Sequence, residues 1–472
     1  MQELYESGGI VYLNVLGNSI VILNDSKYAL DMLDKKSRIY SDRPTLTMAG
    51  TLVGWDEGPA LIPFCDTWSE YRRLFAQFMG THSKVYEFEE VLQDENNIFL
   101  KRLLANPNNW VDHARKFAGG IVLTLAYGYK AGDDDDRMVR IVNEAMDQFS
   151  ETTKSSAFLV DVFPTLRYVP SWFPGAAWKK KVPKYAKSLQ TMLDSPYAWV
   201  KQQISSGTAK KCFVSDLLDN RTSTQEKERI IKWAAAGIYS GGADTTVAGI
   251  ESFVLAMTLQ IAAQKKAQAE IDSVIGTDRL LVLKDRARLP YTEALFTEVL
   301  RVYAIAPTGI SDIIYSFTLI LVIEHSNLVP SGLPHVSRED DIHNGYFIPK
   351  GAIVIANIWQ FLKDPAMYKN PDLFLPERFM ESKDHTKEVD PRDFIFGFGR
   401  RVCPGIHLAD EFMWLLCVSV LAAFDIRPPV KDGESVMPTG KVLDGAICHP
   451  EPFECVIKPR SKAAEAVIRA SG

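Results

Sequence analysis

The stretch from Ile230 to Leu259 restricts the fold of this chain more than any other feature. Its apolar residues recur at helical spacing on every side, so it predicts a long helix buried at the centre of the molecule. The middle of that helix, Ser240–Thr246 (SGGADTT), contains two glycines, an acid and several hydroxyl groups. Each glycine weakens a helix by roughly 1 kcal/mol, and buried polar groups add to the cost. Such a cost predicts a functional site at the centre of the helix.

A second distinctive segment is the loop Phe396–Gly405 (FGFGRRVCPG). Its cysteine, Cys403, is followed by Pro404, which suits the first position of a helix because that position needs no amide donor. The apolar spacing of residues 406–420 predicts the helix itself, whose positive end favours a thiolate at Cys403. We therefore predict that Cys403 is a thiolate ligand of a metal cofactor.

Other residues of the same loop suit a large planar ligand. Gly399 and Gly405 have no Cβ, so the backbone could approach such a ligand closely. Arg401 could pair with an anionic group at the ligand's edge. Two other interpretations are weaker. A lone cysteine is most often a small buried hydrophobic residue, and a dinucleotide-binding loop would need a third glycine where Val402 stands.

Asp244 and Thr245 lie in the polar centre of the long predicted helix. They could relay protons in a site from which water is otherwise excluded, and the neighbouring pair Gly241 and Gly242 could open the helix to make room for a ligand. The alternative is structural, with Thr245 bonding back to the carbonyl four residues earlier and Asp244 satisfying another group. The presence of Cys403 favours the catalytic interpretation.

Two further groups of residues have a helical spacing. Glu298 and Arg301 are three positions apart and share a helix face. Arg378, in the sequence PERF, supplies a second arginine, and a glutamate between two arginines could fix the loop before the cysteine. Trp68 and Arg72 lie one helical turn apart and could together bind a carboxylate at the edge of a cofactor.

These motifs, in this order, resemble those of the cytochrome P450 superfamily: WxxxR, GGxDTT, ExxR, PERF and the cysteine loop. The likeness runs from about residue 10 to about residue 460 and implies a single domain over residues 1–472. It implies a mainly α fold with small β-sheets, in which haem lies between the long central helix and the cysteine loop. Residues 332–341 and 345–351 resemble fungal microsomal members, particularly the group similar to O-methylsterigmatocystin oxidoreductase.

The resemblance implies a role for each motif residue. Haem b (iron protoporphyrin IX) would be the cofactor, with Cys403 as the ligand of its iron. Asp244 and Thr245 would take part in oxygen activation. A structural triad would comprise Glu298, Arg301 and Arg378. The residues in contact with haem would be Trp68, Arg72, His335, Phe396, Gly399, Arg401 and Gly405, of which Trp68, Arg72, His335 and Arg401 would hold the propionates.

The function implied is that of a haem-thiolate monooxygenase, which inserts one oxygen atom from O2 into a small apolar organic substrate. A thiolate ligand favours cleavage of the O–O bond. Electrons would come from an NADPH-dependent cytochrome P450 reductase docked on the cysteine side, where Arg72, Arg73, Arg400 and Arg401 could supply positive charge. Two alternatives stay open: a haem-thiolate isomerase, dehydratase or peroxide-driven enzyme, and a haem protein whose catalysis is impaired by residues 310–332.

Residues 310–332 depart from the family pattern. The run Asp312–Glu324 is apolar and rich in β-branched residues, but it is too short to cross a bilayer. The flank Pro330-Ser331-Gly332 nearly repeats Pro307-Thr308-Gly309. We predict an insertion at 310–332 and hypothesise that it is a translated retained intron; a genuine family-specific insertion is the alternative.

Composition excludes several other classes of protein. A net charge of −6 over 472 residues gives no electrostatic reason to bind nucleic acid. The six cysteines lack the spacing of a disulfide framework or a zinc site.

Apolar and polar residues alternate over residues 10–23 on either side of Gly17-Asn18, which predicts a hairpin. With no signal peptide or membrane-spanning run, the chain as written is expected to be soluble, whereas the resemblance implies an anchored protein on the cytosolic face of the endoplasmic reticulum.

Overall fold

The computed structural model describes residues 8–15, 17–132, 136–153, 158–218, 224–305, 333–383, 386–443 and 447–471. Most of this part of the chain is helical, and its short strands form four small sheets. The predicted fold class, mainly α with small β-sheets, is therefore confirmed. Residues 306–332 contain the predicted insertion 310–332 and lie outside the described residues.

Helices are distributed along almost the whole chain. The α-helices are α1 (Ser26–Ala29), α2 (Asp66–Met79), α3 (His82–Tyr86), α4 (Glu89–Ala105), α5 (Trp110–Tyr127), α6 (Arg137–Thr153), α7 (Leu159–Val162), α8 (Lys181–Ser205), α9 (Phe213–Leu218), α10 (Gln225–Leu259), α11 (Ile261–Val274), α12 (Pro290–Val302), α13 (Ile358–Leu362), α14 (Arg392–Ile395), α15 (Ile406–Ala423) and α16 (Lys462–Ala470). Two π-helical segments are Leu30–Lys35 and Thr47–Val53. The 3₁₀ segments are Trp55–Glu57, Pro107–Asn109, Pro164–Tyr168, Ala177–Lys180, Leu283–Arg288, Pro376–Phe379 and Gly399–Arg401.

The strands are few and short. They are β1 (Ile10–Val15), β2 (Asn18–Leu23), β3 (His335–Val336), β4 (Asp341–His343), β5 (Tyr346–Ile348), β6 (Ile353–Ala356), β7 (Phe424–Arg427), β8 (Val430–Lys431), β9 (Glu434–Ser435) and β10 (Val456–Pro459). The largest sheet has the order β1-β2-β6-β3, and its first two strands form the predicted hairpin, with Ile10 opposite Leu23. Strand β6 is parallel to β2 and antiparallel to β3, which places His335 opposite Val354.

The long helix α10 is the central element of the helical half. It begins at Gln225, earlier than predicted, because the Thr224 side chain accepts a hydrogen bond from the Lys227 amide and so caps the helix. It packs against α5 along much of its length and also contacts α2, α8 and α15. Its apolar residues are buried on all sides, as the sequence predicted.

Two apolar cores join the helical half to the sheet. The larger core surrounds α10 and includes the fully buried aromatic residues Phe117, Tyr239, Phe253 and Trp414. The smaller core lies against the largest sheet and extends to Phe398 of the cysteine loop. The smaller core therefore packs directly against this loop.

Helix α15 follows the cysteine loop and is strongly apolar. Among the described residues, it is the single helix that is long and apolar enough to cross a membrane, but 78% of its length is buried inside the molecule. Helices α10 and α11 would meet the same criterion together, yet the chain bends by 103° between them. This burial is typical of a core helix.

Candidate active site

A cavity of about 560 Å³ lies between the centre of α10 and the cysteine loop. Gly241, Asp244 and Thr245 line it from α10, while Phe396 and Cys403 line it from the loop. Its volume falls within the roughly 300–1,000 Å³ that is usual for a cofactor or small-molecule site. The structure therefore brings together the two segments that the sequence singled out.

Cys403 is held at the wall of this cavity by the backbone of its own loop. Its amide donates to the Phe396 carbonyl at 2.7 Å. Helix α15 begins at Ile406, three positions after Cys403, so the prediction that Pro404 is its first residue is wrong: Pro404 and Gly405 form the turn before the helix. Burial raises the pKa of the Cys403 thiol, while a backbone hydrogen bond at Gly405 and the charge of Arg72 act in the opposite direction. A coordinated metal would outweigh the effect of burial, because coordination deprotonates a thiol outright.

The glycines of the loop serve different purposes. Gly405 lines the cavity, and a Cβ there would lie 3.9 Å from the Cys403 sulfur. Gly399 does not line the cavity, and its φ is +51°, in the left-handed region. A Cβ on Gly399 would lie 2.2 Å from the Leu33 carbonyl oxygen and 2.8 Å from the Ser37 Cβ. The structure thus differs from the expectation that Gly399 contacts the cofactor, because this glycine is needed for packing against the protein's own backbone.

Three arginines at the cavity, Arg43, Arg72 and Arg401, form no ion pair with a carboxylate anywhere in the described part of the chain. Backbone carbonyls accept from all three: Leu333 at 2.7 Å from Arg43, Val402 at 2.6 Å from Arg72, and Ile62 at 2.7 Å from Arg401. The buried Nε of Arg43 has no hydrogen-bond partner.

The electrostatics of these arginines indicate a site for anionic groups. Burial, with a smaller contribution from Arg401, lowers the pKa of Arg43 to about 9. Burial likewise lowers the pKa of Arg401 to about 10. A cation buried without a counter-ion is costly, and the carboxylates of a ligand would supply the missing charge.

Trp68 and Arg72 lie on α2, one turn apart as predicted. The indole is buried, and two guanidinium carbons lie near its ring centroid, that of Arg401 at 4.8 Å and that of Arg72 at 5.9 Å. These are cation–π distances. The tryptophan therefore holds both arginines at the same end of the cavity.

His335 reaches the cavity from strand β3. Its Nδ1 lies 2.6 Å from the Tyr40 carbonyl oxygen, so this nitrogen must carry a proton. Burial lowers the pKa of His335 to about 3, with further lowering by Arg43 and Arg401. A carboxylate bound beside these arginines would offset their charge and favour the imidazolium, which donates from both nitrogens.

The polar centre of α10 is arranged differently from what the sequence suggested. The helix is continuous through Gly241 and Gly242, so the expected opening at the glycine pair is absent from this described helix. Thr245 Oγ1 donates to the Gly241 carbonyl at 2.6 Å, which is the back-bonding considered as the structural alternative. A Cβ on Gly242 would lie 2.6 Å from Val122 Cγ1, whereas one on Gly241 would meet nothing within 4 Å. Gly242 therefore allows close packing on α5, and Gly241 leaves space beside the cavity.

Asp244 has partners that the sequence did not reveal. Its Oδ1 lies 3.4 Å from His449 Nε2, and His449 Nδ1 lies 2.8 Å from Glu251 Oε2. Sequence reasoning missed His449, Glu251 and also Arg43, since none of them belongs to a recognisable local spacing. His449 comes from the carboxyl-terminal part of the chain, and its approach to α10 depends on the tertiary fold.

The three residues predicted as a structural triad lie together where α12 packs against the 3₁₀ segment Pro376–Phe379. Arg301 donates to Glu298 through two nitrogens, at 2.7 and 2.8 Å, and Arg378 Nε lies 3.3 Å from Glu298 Oε1. Arg378 also pairs with Glu388 at 2.6 Å, a contact that the sequence did not predict. All three triad side chains are buried.

The basic residues expected on a docking surface are only partly exposed. Arg72 and Arg401 line the cavity, so they are not available on the outer surface. Arg73 is exposed but pairs with Glu70 at 2.6 Å, and Arg400 is exposed. Of the four arginines that could supply positive charge to a partner, Arg73 and Arg400 are therefore the exposed ones.

Together, the donors around the cavity suit one kind of cofactor. A cysteine sulfur can coordinate a metal, and three arginines without carboxylate partners among the described residues can bind the acidic edge of the same ligand. Haem has both groups, an iron and two propionates. Fold and site thus define a haem-thiolate protein.

Comparisons with known proteins agree with this class. The family model described as Cytochrome P450 matches residues 1–314 and 325–456, and the chain belongs to this family. The unmatched residues 315–324 fall within the predicted insertion 310–332. By family, the protein is a haem-dependent oxidoreductase of the cytochrome P450 monooxygenase class.

Several fungal proteins are similar over almost the whole chain. Cytochrome P450 monooxygenase 208 of Postia placenta is 47% identical, covering 98% of this chain and 86% of that protein. Cytochrome P450 monooxygenase claR of Ampulloclitocybe clavipes is 40% identical, covering 98% and 82%. O-methylsterigmatocystin oxidoreductase of Aspergillus flavus is 34% identical, covering 99% and 84%. The resemblance to fungal members inferred from the sequence is confirmed.

A solved structure confirms the fold. A zebrafish cytochrome P450, determined with abiraterone, superposes with a TM-score of 0.73 over 98% of both chains at 20% identity. At this identity the likeness concerns the fold alone.

Proposed function

We propose that this protein is a haem-thiolate monooxygenase that inserts one oxygen atom from O2 into a small apolar organic substrate. The observation that carries the proposal is the position of Cys403 on one side of a single cavity, with Asp244 and Thr245 of α10 lining another side. The sulfur supplies a metal ligand, and the acid and hydroxyl supply the proton-transferring groups that O–O bond cleavage requires.

Different residues around the cavity would bind different parts of haem b. Cys403 would ligate the iron, and Arg43, Arg72, Arg401, Trp68 and His335 would hold the propionates. When bound, haem supplies the site at which O2 is reduced and cleaved. The protein contributes the anionic sulfur, whose electron donation favours that cleavage.

Asp244 and Thr245 are suited to bring protons to the cavity. The Thr245 hydroxyl donates to the Gly241 carbonyl at 2.6 Å, so its oxygen lone pairs can accept a hydrogen bond from a neighbouring acid or water. Asp244 lines the cavity with 39% of its side chain exposed, so it can exchange protons with water. The two residues together can move a proton along α10 towards the reacting oxygen.

The rest of the cavity supports an apolar substrate. Its walls carry large apolar side chains from widely separated elements: Trp55, Phe75, Phe149, Trp233, Ile305 and Ile447. Such walls bind a ligand through burial of apolar surface, while a few polar groups orient it.

We further propose that electrons come from an NADPH-dependent reductase that docks on the cysteine side. Arg400, within the cysteine loop, is exposed and can contribute to an electrostatic contact with an acidic partner. Salt-dependent turnover would support this contact. Exchange of Arg400 for glutamine should slow electron transfer at low ionic strength and leave haem binding unchanged.

The decisive experiment is a carbon monoxide difference spectrum of the reduced, haem-loaded protein. The wild type should show the Soret band typical of a thiolate ligand, and Cys403→Ser should lose it. Cys65→Ser is the matched control, since Cys65 is exposed and lies outside the cavity lining. A thiolate-type band retained in Cys403→Ser would overturn the proposal. Absence of the band from the wild type would instead favour an impaired haem protein.

A comparison of oxidants separates the monooxygenase from an isomerase or a peroxide-driven enzyme. Turnover that needs NADPH, reductase and O2 supports the proposal, because only that cycle uses the protons delivered by Asp244 and Thr245. Equal turnover with peroxide alone, unaffected by Asp244→Asn, would favour the alternative.

A further inference from the structure

His449 lies between two acidic residues of α10. Its Nε2 is 3.4 Å from Asp244 Oδ1, and its Nδ1 is 2.8 Å from Glu251 Oε2. Residues seven apart on a helix occupy nearly the same face two turns apart, so α10 presents both carboxylates to one imidazole. Both ring nitrogens therefore face acceptors. Only the doubly protonated ring has an N–H to donate to each of the two carboxylates.

The loop that carries His449 is tied to its surroundings by backbone hydrogen bonds. The amide of Leu443 donates to the His449 carbonyl at 2.6 Å, and the amide of Cys448 donates to the Ile305 carbonyl at 3.1 Å. His449 lines the same cavity as Asp244, and a quarter of its side chain is exposed. It is thus fixed in place and open to solvent at the same time.

Electrostatics agree with a charged ring at neutral pH. Burial alone would lower the pKa of His449, but its contacts with Asp244 and Glu251 outweigh burial and raise the pKa to about 9. On the neighbouring helix α6, Asp147 faces Asp244, and burial followed by that negative charge raises the pKa of Asp147. Arg115 of α5 acts on Asp147 in the opposite direction.

We propose that His449 is a positioning residue for proton delivery through Asp244: it holds the Asp244 carboxylate at the cavity wall and replaces each proton that this carboxylate gives up. Glu251 orients the imidazole from the other side. This inference rests on the proposed monooxygenase function, because only that reaction consumes protons at the cavity.

The proton balance is closed by solvent. In the resting ion pair Asp244 is a carboxylate and His449 is doubly protonated. The Nε2 proton of His449 moves to Asp244, which passes a proton into the cavity and is a carboxylate again, and the neutral imidazole takes up a proton from water at its exposed edge. The charge on the three groups returns to its starting value after each transfer.

A purely structural role is the competing explanation, with the ion pairs simply fastening the carboxyl-terminal loop to α10. Both roles predict that loss of His449 weakens the fold locally. Only the proton-delivery role predicts that the pH dependence and the efficiency of oxygen insertion follow the protonation of this imidazole.

The first test measures that protonation directly by NMR on histidine-labelled protein in its diamagnetic ferrous carbon monoxide form. The chain has eight histidines, and the signal missing from His449→Gln assigns the one in question. We expect a pKa near 9 in the wild type and lower values in Glu251→Gln and Asp244→Asn. A wild-type pKa near that of a free histidine would overturn the inference.

The second test measures coupling, the amount of product formed per molecule of NADPH consumed, with reductase present. In His449→Gln we expect coupling to fall by about tenfold, less than the roughly 10²–10⁴-fold that a directly acting acid or base contributes. The KM for substrate should stay unchanged. His82→Gln is the matched control, because it also removes a histidine paired with a glutamate, Glu411 at 2.9 Å, outside the cavity lining.

The pH profile supplies the readout that a structural role would not change. In the wild type, coupling should decline as pH approaches 9. In Glu251→Gln the decline should occur at lower pH, and in His449→Gln there should be no such decline. A His449→Gln variant with wild-type coupling and profile would refute the role of His449 while leaving the monooxygenase proposal intact. Failure of the wild type to turn over would refute the monooxygenase proposal instead, and the NMR titration would still decide whether the ring is charged.

Discussion

Glu298 and Arg378 are separated by 80 positions in the sequence, yet their buried side chains meet with 3.3 Å between Glu298 Oε1 and Arg378 Nε. The same carboxylate oxygen accepts from the Leu375 amide at 2.8 Å. Helix α12 is thereby joined to the segment that precedes the cysteine loop. The contact fixes this segment to α12, a helix that itself lines the cavity through Phe296 and Leu300.

Glu298→Gln should therefore destabilise the protein severely. It leaves the guanidinium groups of Arg301 and Arg378 without this counter-charge, and breaking a buried ion pair costs roughly 3–5 kcal/mol. The measurement is the urea concentration at which the thiolate-type carbon monoxide spectrum is lost. Glu465→Gln serves as the control, since the Glu465–Arg469 pair is exposed on α16 and should be worth less than about 1 kcal/mol. Equal midpoints for the two variants would contradict a bracing role for Glu298.

Local spacing was enough to predict several parts of the site. Cys403, the Glu298–Arg301 pair and the Trp68–Arg72 pair all belong to short patterns whose geometry follows from one helix or one loop. The burial of α10 also follows directly from its apolar residues. For these features, the chain within a few positions contains all the necessary information.

Other parts of the site depend on contacts between distant segments. Arg43 stands in an irregular segment, and only the fold brings it to Arg401 and His335. The reason for a glycine at position 399 is the carbonyl of Leu33, far away in sequence. His449 likewise reaches Asp244 from 205 positions away in the sequence (449 − 244), so no local pattern could reveal it. Such features follow from tertiary packing.

Gly241→Ala and Gly242→Ala should have opposite effects on stability. A Cβ on Gly242 would lie 2.6 Å from Val122 Cγ1, so the alanine must displace α5, whereas a Cβ on Gly241 meets nothing within 4 Å. We expect Gly241→Ala to stabilise the helix by up to about 1 kcal/mol and Gly242→Ala to destabilise the protein by roughly 1–3 kcal/mol. Denaturation midpoints of the haem-loaded variants provide the comparison.

The same pair also tests which glycine leaves space beside the cavity. Both glycines line it, but only at Gly241 would a Cβ meet no atom within 4 Å, so Gly241→Ala should change the affinity for carbon monoxide or substrate despite its greater stability. If Gly242→Ala proved as stable as the wild type, the close packing between α10 and α5 would be wrong.

Arg43→Gln should weaken the binding of haem. Arg43 is one of three arginines at the cavity that make no ion pair within the described residues, and a charge-assisted hydrogen bond is worth roughly 1.5–3 kcal/mol. Loss of haem to a competing apoprotein should therefore accelerate by about tenfold or more. Arg38→Gln is the matched control, because Arg38 is exposed and lies outside the cavity lining. Identical rates for the two variants would exclude Arg43 from the propionate site.

The ion pairs of His449 should make stability depend on pH on the alkaline side of neutrality. The pKa of His449 is raised to about 9, above the value of roughly 6.5 in an unfolded chain. Between these values the folded protein binds more protons than the unfolded one, so stability is fully present below about pH 6.5 and is lost as pH rises towards 9. One such group contributes a slope of at most about 1.4 kcal/mol per pH unit. Denaturation midpoints measured across this window should decline less steeply in His449→Gln, with Glu251→Gln intermediate between the two. Identical slopes in all three proteins would mean that the imidazole is not held in its charged form by Asp244 and Glu251.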